Sequence, residues 1–364
     1  MKYFSLFSGI GGFESGIQNS FLQSRQDRKE DKLSSKEGEH SEQSQGTIRQ
    51  PTPICVGFSE IDKYATQIYK KHFNHKEYGD VSKINWRDVE DFDLLCGGFP
   101  CQAFSIAGKR GGFNDTRGTL FFEIAKAAQH KQPRLLLLEN VKGLLSHNQG
   151  ETFYTILKTL DGIGYDLQWQ VLNSKNFGVP QNRERVFIVG HLRGTSRPEV
   201  FPIGEDDRIC SEWGEKRNET KQQGKQNIKN RRRYTRCDAG QGMRVYGIEG
   251  ENTTIASQAG GLGAKTGLYK VKAVLTPNRK EKRQNGRRMK ENGEPSFTLT
   301  GQDIHGVSYE NKIRRLTPTE CCRLQGFPDD WCDGVSDTQR YKMLGNAVTV
   351  NVIQAIMERL LKEN

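Results

Sequence analysis

Short apolar runs alternate with glycine turns and amphipathic stretches through the first half of the chain. Residues 3–7 read as a strand that breaks at Ser8-Gly9-Ile10-Gly11-Gly12. A helix follows, with Phe13, Ile17 and Phe21 on its apolar face. Residues 54–58 predict a second strand, closing on Ser59-Glu60, and 63–73 a second helix. The run Leu94-Leu95-Cys96 is a third strand, broken by Gly97 and Gly98 ahead of Phe99-Pro100-Cys101. A helix opens at Arg117-Gly118-Thr119-Leu120 and runs through Ala128. Four consecutive leucines from Leu135 predict a strand covered on both faces, ending in Glu139-Asn140-Val141. Residues 152–160 are helical, and 165–172 with 186–189 form a closing pair of strands. Strands alternating with helices predict an α/β fold with a mostly parallel sheet.

The pattern fades after Leu192, where arginine, glycine and turns multiply. It returns late. Thr317 caps a helix with Pro318 at its first position, and Phe327-Pro328 ends it. Residues 350–361 form an amphipathic helix suited to pack beside the first strand. Three segments follow from this texture: a catalytic and cofactor-binding domain over 1–192, a smaller irregular domain over 193–315, and a return to the first domain over 316–364. Residues 20–53 are rich in Ser, Gln, Lys and Glu, the composition of a disordered insertion.

Charge sharpens the division. The chain of 364 residues carries a net charge of +11. Residues 193–315 hold 26 Lys and Arg against 15 Asp and Glu, which is the whole excess. Such localisation points to a polyanionic partner. Arg231, Arg232 and Arg233 stand out as candidate phosphate contacts. The eight cysteines show no CxxC spacing, so neither a disulfide framework nor a zinc site is expected. Glycines interrupt the first apolar run and no stretch reaches a membrane-spanning length, so no signal peptide and no membrane are expected. A reducing, cytoplasmic compartment is expected.

The candidate chemistry sits at strand ends. Pro100 fixes the backbone just before a lone thiol, Cys101, at the carboxyl end of a strand, where open α/β sheets keep their sites. Gly108, Lys109, Arg110, Gly111 and Gly112 then read as a mobile, cationic flap. The first glycine loop departs from the dinucleotide fingerprint, since Glu14 replaces its third glycine. A pyrophosphate would sit poorly beside that carboxylate, whereas a cofactor with a cationic end would tolerate it. Glu60 and Asp80, at successive strand ends, suit adenosine. Glu139, at the end of a central strand, is the expected partner of Cys101. Arg183 and Arg185, two apart at a strand entry, are placed to face one side.

These stretches also carry a resemblance. FSLFSGIGGFESG, GFPCQAFS, ENV, QNRERVF, LTPTECCRLQGFP and LGNAV stand in the order found in bacterial and phage DNA (cytosine-5) methyltransferases, which the chain resembles over 1–192 and 313–364. The resemblance implies a Rossmann-like, S-adenosylmethionine-dependent methyltransferase fold with a target-recognition domain. It implies that Phe7, Gly9, Gly11 and Gly12 surround the cofactor, that Glu60 takes its ribose and Asp80 its adenine, and that Asn346 takes its methionine end, with Pro100 and Leu120 nearby. Cys101 would be the nucleophile; Glu139 and Arg185 would hold the target cytosine, with Arg183 in support. Residues 239–269 look like the recognition region of some members, which puts Gln241, Arg244 and Thr266 on DNA, Gln241 filling the space of a flipped base. The reaction expected is methyl transfer to C5 of cytosine in duplex DNA by a monomer, within restriction-modification, beside a separate endonuclease. No metal is implied.

The chemistry agrees with the residues. Cytosine C5 is a weak nucleophile until a thiolate adds at C6, and a stacked base is out of reach of any such thiol. A tRNA cytosine-5 methyltransferase on the same fold and a non-catalytic DNA-binding protein are the alternatives. The basic segment favours duplex DNA over the first, and the presence of both Cys101 and Glu139 disfavours the second. A nicotinamide dehydrogenase explains neither.

Overall fold

The structure is a computed structural model that describes residues 1–34, 52–100, 120–203, 233–234, 245–246, 268–269, 272–277, 287–291, 294–309 and 312–361. Its main sheet has six strands: β1 (Lys2–Leu6), β2 (Ile54–Ser59), β3 (Leu94–Gly98), β4 (Leu135–Val141), β5 (Tyr165–Asn173) and β6 (Glu184–Leu192). They lie in the order β2-β1-β3-β4-β6-β5. β1 to β4 are mutually parallel, and β6 runs antiparallel between β4 and β5. The helices are α1 (Gly12–Ser34), α2 (Lys63–His72), α3 (Leu120–Lys131), α4 (Glu151–Gly162), α5 (Pro318–Gln325), α6 (Asp337–Asn346) and α7 (Val350–Leu361). The expected α/β class with a mostly parallel sheet is what forms.

Two apolar layers cover the sheet, and strand alternation sorts residues between them. Leu136 and Leu138 join Phe4, Leu6 and Leu95 against Phe121 and Ile124 of α3 and Ile156 and Leu160 of α4. Leu135 and Leu137 join Tyr3, Leu94 and Cys96 against Phe13 and Ile17 of α1 and Ile353, Ile356 and Met357 of α7. This explains why the leucine run has no polar break. Side chains such as Ile353 and Ile356 are fully buried, each contributing about 1.5–3 kcal/mol. The last helix packs as expected beside the first strand. It also lies against α1, so closely that a β-carbon at Gly16 would stand 2.5 Å from Ile353 Cβ.

The expected insertion needs correction at its start. α1 continues to Ser34, with Phe21 buried in the core. Ser20 is buried and donates its hydroxyl to the Ile17 carbonyl at 2.7 Å, and Ser24 donates to the Ser20 carbonyl at 2.8 Å. Both hydroxyls are thus satisfied within the helix, against the preceding turn, although the polar composition argues against a helix here. Residues 35–51 lie outside the described residues.

The chain divides into two compact units, one of residues 1–178, 184–207 and 346–364, the other of 179–183 and 208–345. The sequence-based division differs in placing 179–183 and 316–345 with the sheet and 193–207 with the smaller domain. The second unit contains two three-stranded sheets, β7 (Arg233–Tyr234), β8 (Val245–Tyr246) and β9 (Leu268–Tyr269), and β10 (Lys272–Leu275), β11 (His305–Tyr309) and β12 (Lys312–Arg315). α5 starts on the Thr317 cap, reinforced by a reciprocal Glu320 contact, with Pro318 in the first turn. It ends on Gly326 in the left-handed region, one residue ahead of Phe327. Among the described residues no helix is long and apolar enough to cross a membrane.

Candidate active site

The parallel strands bring their carboxyl ends to one edge of the sheet. Glu60 follows β2, Phe7 to Gly12 follow β1, Phe99 and Pro100 follow β3, and Glu139 lies near the end of β4. β6 is antiparallel, so its first residues, Glu184 and Arg185, meet the same edge.

The β1 turn is tight. Phe7, Gly9 and Gly11 all have positive φ, at 53°, 55° and 89°. Gly11 lies on the Phe73 ring, where any β-carbon would collide. The Gly9 amide donates to Glu60 Oε2 at 2.9 Å, and Glu60 Oε1 accepts from the amides of Ile61 and Asp62, both at 2.8 Å. Glu60 is thereby fixed against the glycine turn. Asp80 caps a short 3-10 turn, accepting from the Ser82 amide at 3.0 Å and hydroxyl at 2.8 Å. The Ser82 hydroxyl, the Ser82 amide and Lys83 hold its carboxyl below the usual carboxylate range. Ser59 Oγ donates to the Gly79 carbonyl at 2.6 Å, joining this turn to the end of β2. Pro100 is exposed, and Leu120 is half-buried in the first turn of α3. Asn346 is exposed at the end of α6.

Glu14 is not beside this loop's open side. It is fully buried and accepts from the Tyr69 hydroxyl at 3.0 Å. Burial pushes its carboxyl up to about 7, against hydrogen bonds from the Ser5 side chain and Tyr69. Its place in the glycine loop suggested a carboxylate open to a bound ligand; α1 instead turns it inward, into the buried layer.

Glu139 and Arg185 form the polar centre of the edge. Arg185 pairs in register with Val141, which sets it diagonally opposite Glu139 on one face. Arg185 Nε lies 2.9 Å from Glu139 Oε1, with both side chains mostly buried. Arg185 also donates to the Glu184 carbonyl at 2.8 Å. Burial lowers the Arg185 pKa from its ordinary value while Glu139 opposes the shift. Glu139 Oε2 fills the space above Gly98, where a β-carbon would stand only 2.8 Å away. A side chain at Gly98 would therefore push the carboxylate aside.

Arg183 behaves differently from its expected pairing with Arg185. It precedes β6, so strand spacing does not apply, and its guanidinium is buried in the second unit. There it donates to the Leu299 carbonyl at 2.8 Å and the Gly345 carbonyl at 3.2 Å. Gln181, also buried, donates to the Leu324 carbonyl at 2.8 Å and accepts from the Leu299 amide at 2.9 Å. Gln181 and Arg183 are thereby tied to the Leu299, Leu324 and Gly345 backbones. Gln181 drew no notice in the sequence, where only its place in that motif marked it.

The family model for C-5 cytosine-specific DNA methylase matches residues 1–362. The chain belongs to this family. It is a DNA (cytosine-5) methyltransferase. Among curated relatives it is 33% identical to "Orphan methyltransferase M.SPRI" of Bacillus phage SPR, over 99% of this chain and 97% of that protein. It is 36% identical to "Type II methyltransferase M.HpaII" of Haemophilus parainfluenzae, over 99% and 89%. A solved prophage methyltransferase of E. coli shares the fold, with a TM-score of 0.55 at 20% identity over 99% of this chain and 98% of that one.

Several expected site residues of this methyltransferase, Cys101, Arg231, Arg232, Gln241, Arg244 and Thr266, lie outside the described residues, as does the predicted flap. Of Arg233 only the backbone is described, in β7. In the sequence Gly98 reads only as a strand break and Asn140 only as part of the ENV motif, with no site role given to either. Asn140 is buried and binds the Phe99 carbonyl. The signal available was position alone: each adjoins or faces Glu139.

Proposed function

We propose that this methyltransferase takes its methyl group from S-adenosylmethionine and acts through a covalent Cys101 adduct on a cytosine turned out of duplex DNA. The observation that carries the reading is the Glu139–Arg185 pair, 2.9 Å apart at the sheet edge where β3 leads into Phe99-Pro100.

The residues fit the cofactor. Three alternate positive-φ positions open the backbone for close approach, and Glu60, braced by the Gly9 amide, offers its carboxylate to ribose hydroxyls. Asp80 sits at the adjacent turn for the adenine, and Phe7, Gly11, Gly12, Pro100, Leu120 and Asn346 complete the proposed set. S-adenosylmethionine supplies a sulfonium-activated methyl group.

Cys101 adds as thiolate to C6, which turns C5 into an enamine carbon able to attack that methyl. Glu139 hydrogen-bonds the ring's N3 and amino edge as charge builds there. Arg185 holds Glu139 in place and lends the positive field that favours a thiolate. Arg183, held by the Leu299 and Gly345 carbonyls, is the supporting residue of the set. Removal of the C5 proton and β-elimination release Cys101. A stacked base is inaccessible, so the cytosine leaves the helix, with Gln241 filling its place and Arg244 and Thr266 beside it. The basic segment holds phosphates. Relatives named as type II methyltransferases support a role in restriction-modification, with an endonuclease acting separately.

Bisulfite sequencing of DNA from an expressing host tests the product: methylation at one short motif is expected, and its absence sinks the reading. Glu60→Ala should raise the KM for S-adenosylmethionine about 10–100-fold, the scale of a lost hydrogen bond to a charged group. Unchanged cofactor affinity would remove Glu60 from the assignment.

A further inference from the structure

The Phe99–Pro100 peptide carries only one group able to hydrogen-bond. Proline has no N–H, so its linkage offers the Phe99 carbonyl alone. Beyond Gly98 the β3 ladder has ended. Something other than the sheet must therefore fix this peptide plane, and it sits one residue ahead of Cys101.

Asn140 does so. Its side-chain Nδ2 donates to the Phe99 carbonyl at 2.9 Å. Its Oδ1 accepts from the Val141 amide at 2.8 Å. The two bonds use opposite ends of one amide, so its orientation is set: a flipped amide would face donor with donor and acceptor with acceptor. Asn140 is 2% exposed. It follows Leu136 and Leu138 onto the α3 and α4 side, where Phe99 is also buried. Glu139 follows Leu135 and Leu137 onto the opposite side. Adjacent residues of β4 thus reach the proposed cytosine site by two routes, Glu139 directly and Asn140 through the backbone of the nucleophile's segment.

We propose that Asn140 is a positioning residue for Cys101: its amide locks the plane of the Phe99–Pro100 peptide and with it the direction in which the chain enters the nucleophile. This rests on the covalent reading above. Attack on C6 needs near-attack geometry, and a misplacement of about 1 Å can cost on the order of 100-fold in rate.

Asn140→Asp discriminates a positioning role from mere filling of the core. When ionised, the substituted carboxylate keeps the acceptor for the Val141 amide but loses the donor and repels the Phe99 carbonyl. Once protonated it has the amide's shape and donates again. Burial and the facing carbonyl both raise such a carboxyl's pKa, bringing the change within a workable range. The test is single-turnover methyl transfer to long, mixed-sequence duplex DNA from a host lacking cytosine methylation, at saturating S-adenosylmethionine, across pH. Asn140→Asp should be slowed about 100-fold at pH 8 and should recover relative to wild type as pH falls. Asn140→Ala should be slow at every pH. Both should bind S-adenosylmethionine within about threefold of wild type, since Glu60, Asp80 and the glycine turn make no bond to Asn140 and Pro100 is the one proposed cofactor residue next to the peptide it holds. Rates near wild type in both variants, or an Asn140→Asp profile parallel to that of Asn140→Ala, would overturn the proposal. Cys101→Ser runs alongside. If it still methylates, the nucleophile reading fails; if it is inactive while the Asn140 variants are normal, only the positioning role fails.

Discussion

Glu139 and Asn140 show what one step along a strand does. Glu139 lies over Gly98 and meets Arg185, while Asn140 turns to the other layer and the Phe99 carbonyl. Glu139 was legible in the sequence, because a carboxylate closing an apolar strand asks for a reason. Asn140 was not, because a neutral amide beside it has an ordinary surface reading. Arg183 and Arg185 failed as a pair for a similar reason: spacing of two means a shared face only inside a strand, and β6 begins at Glu184. Glu14 misled too, since its position in the glycine loop says nothing about which way α1 turns it. Its burial has a consequence for stability. The folded state holds the Glu14 proton up to about pH 7, whereas an unfolded glutamate releases it near 4.5. The folded state therefore binds more protons between these values, and stability falls as pH rises through that window. Glu14→Gln keeps an acceptor for Tyr69 and removes the titration. It should flatten the decline and stabilise the protein at pH 8 by on the order of 1–3 kcal/mol in denaturant unfolding. An unchanged pH profile would mean that another group sets the slope.

At the scale of elements, the strands of the main sheet and α2, α3, α4 and α7 follow apolar runs and helical spacing closely enough to be read directly. β7 to β12 were not legible. They are short, three of them only two residues long, and a two-residue strand cannot display an alternating pattern. The tail of α1 was hidden by its polar composition. The contact between α1 and α7 is a tertiary fact that periodicity only hints at, and it closes one side of the sheet. A β-carbon at Gly16 would meet Ile353 Cβ at 2.5 Å and the Val350 carbonyl at 2.9 Å. Gly16→Val should therefore destabilise the protein by about 1–3 kcal/mol, the range for overpacking a filled core. Thermal or urea unfolding would show it, and a neutral result would mean that α7 shifts without cost.

The whole molecule has an uneven charge. Residues 193–315 carry the entire excess of +11, while the rest of the chain balances. This was legible from counting alone, although the bases that segment reads were not, because direct readout depends on which side chains reach which base edges. If the segment holds phosphates, DNA binding should fall steeply with salt. Replacing Arg231, Arg232 and Arg233 by Ala should reduce the slope of log K against log salt by about 1 for each phosphate no longer neutralised. A slope unmoved by the triple change would mark the three arginines as free surface.

The central question is whether Cys101 bonds to the base, and a mechanism-based trap measures that directly. With 5-fluorocytosine at the target position, addition at C6 and methyl transfer proceed, but fluorine cannot leave as a cation, so elimination stops. The wild-type enzyme should form a denaturation-resistant adduct with this DNA only when S-adenosylmethionine is present, with the DNA attached at Cys101 in the digested protein. Glu139→Gln should slow trapping and turnover together, because both need addition at C6. A Cys101→Ser enzyme that methylates DNA, or that is trapped as well as the wild type, would contradict the covalent mechanism.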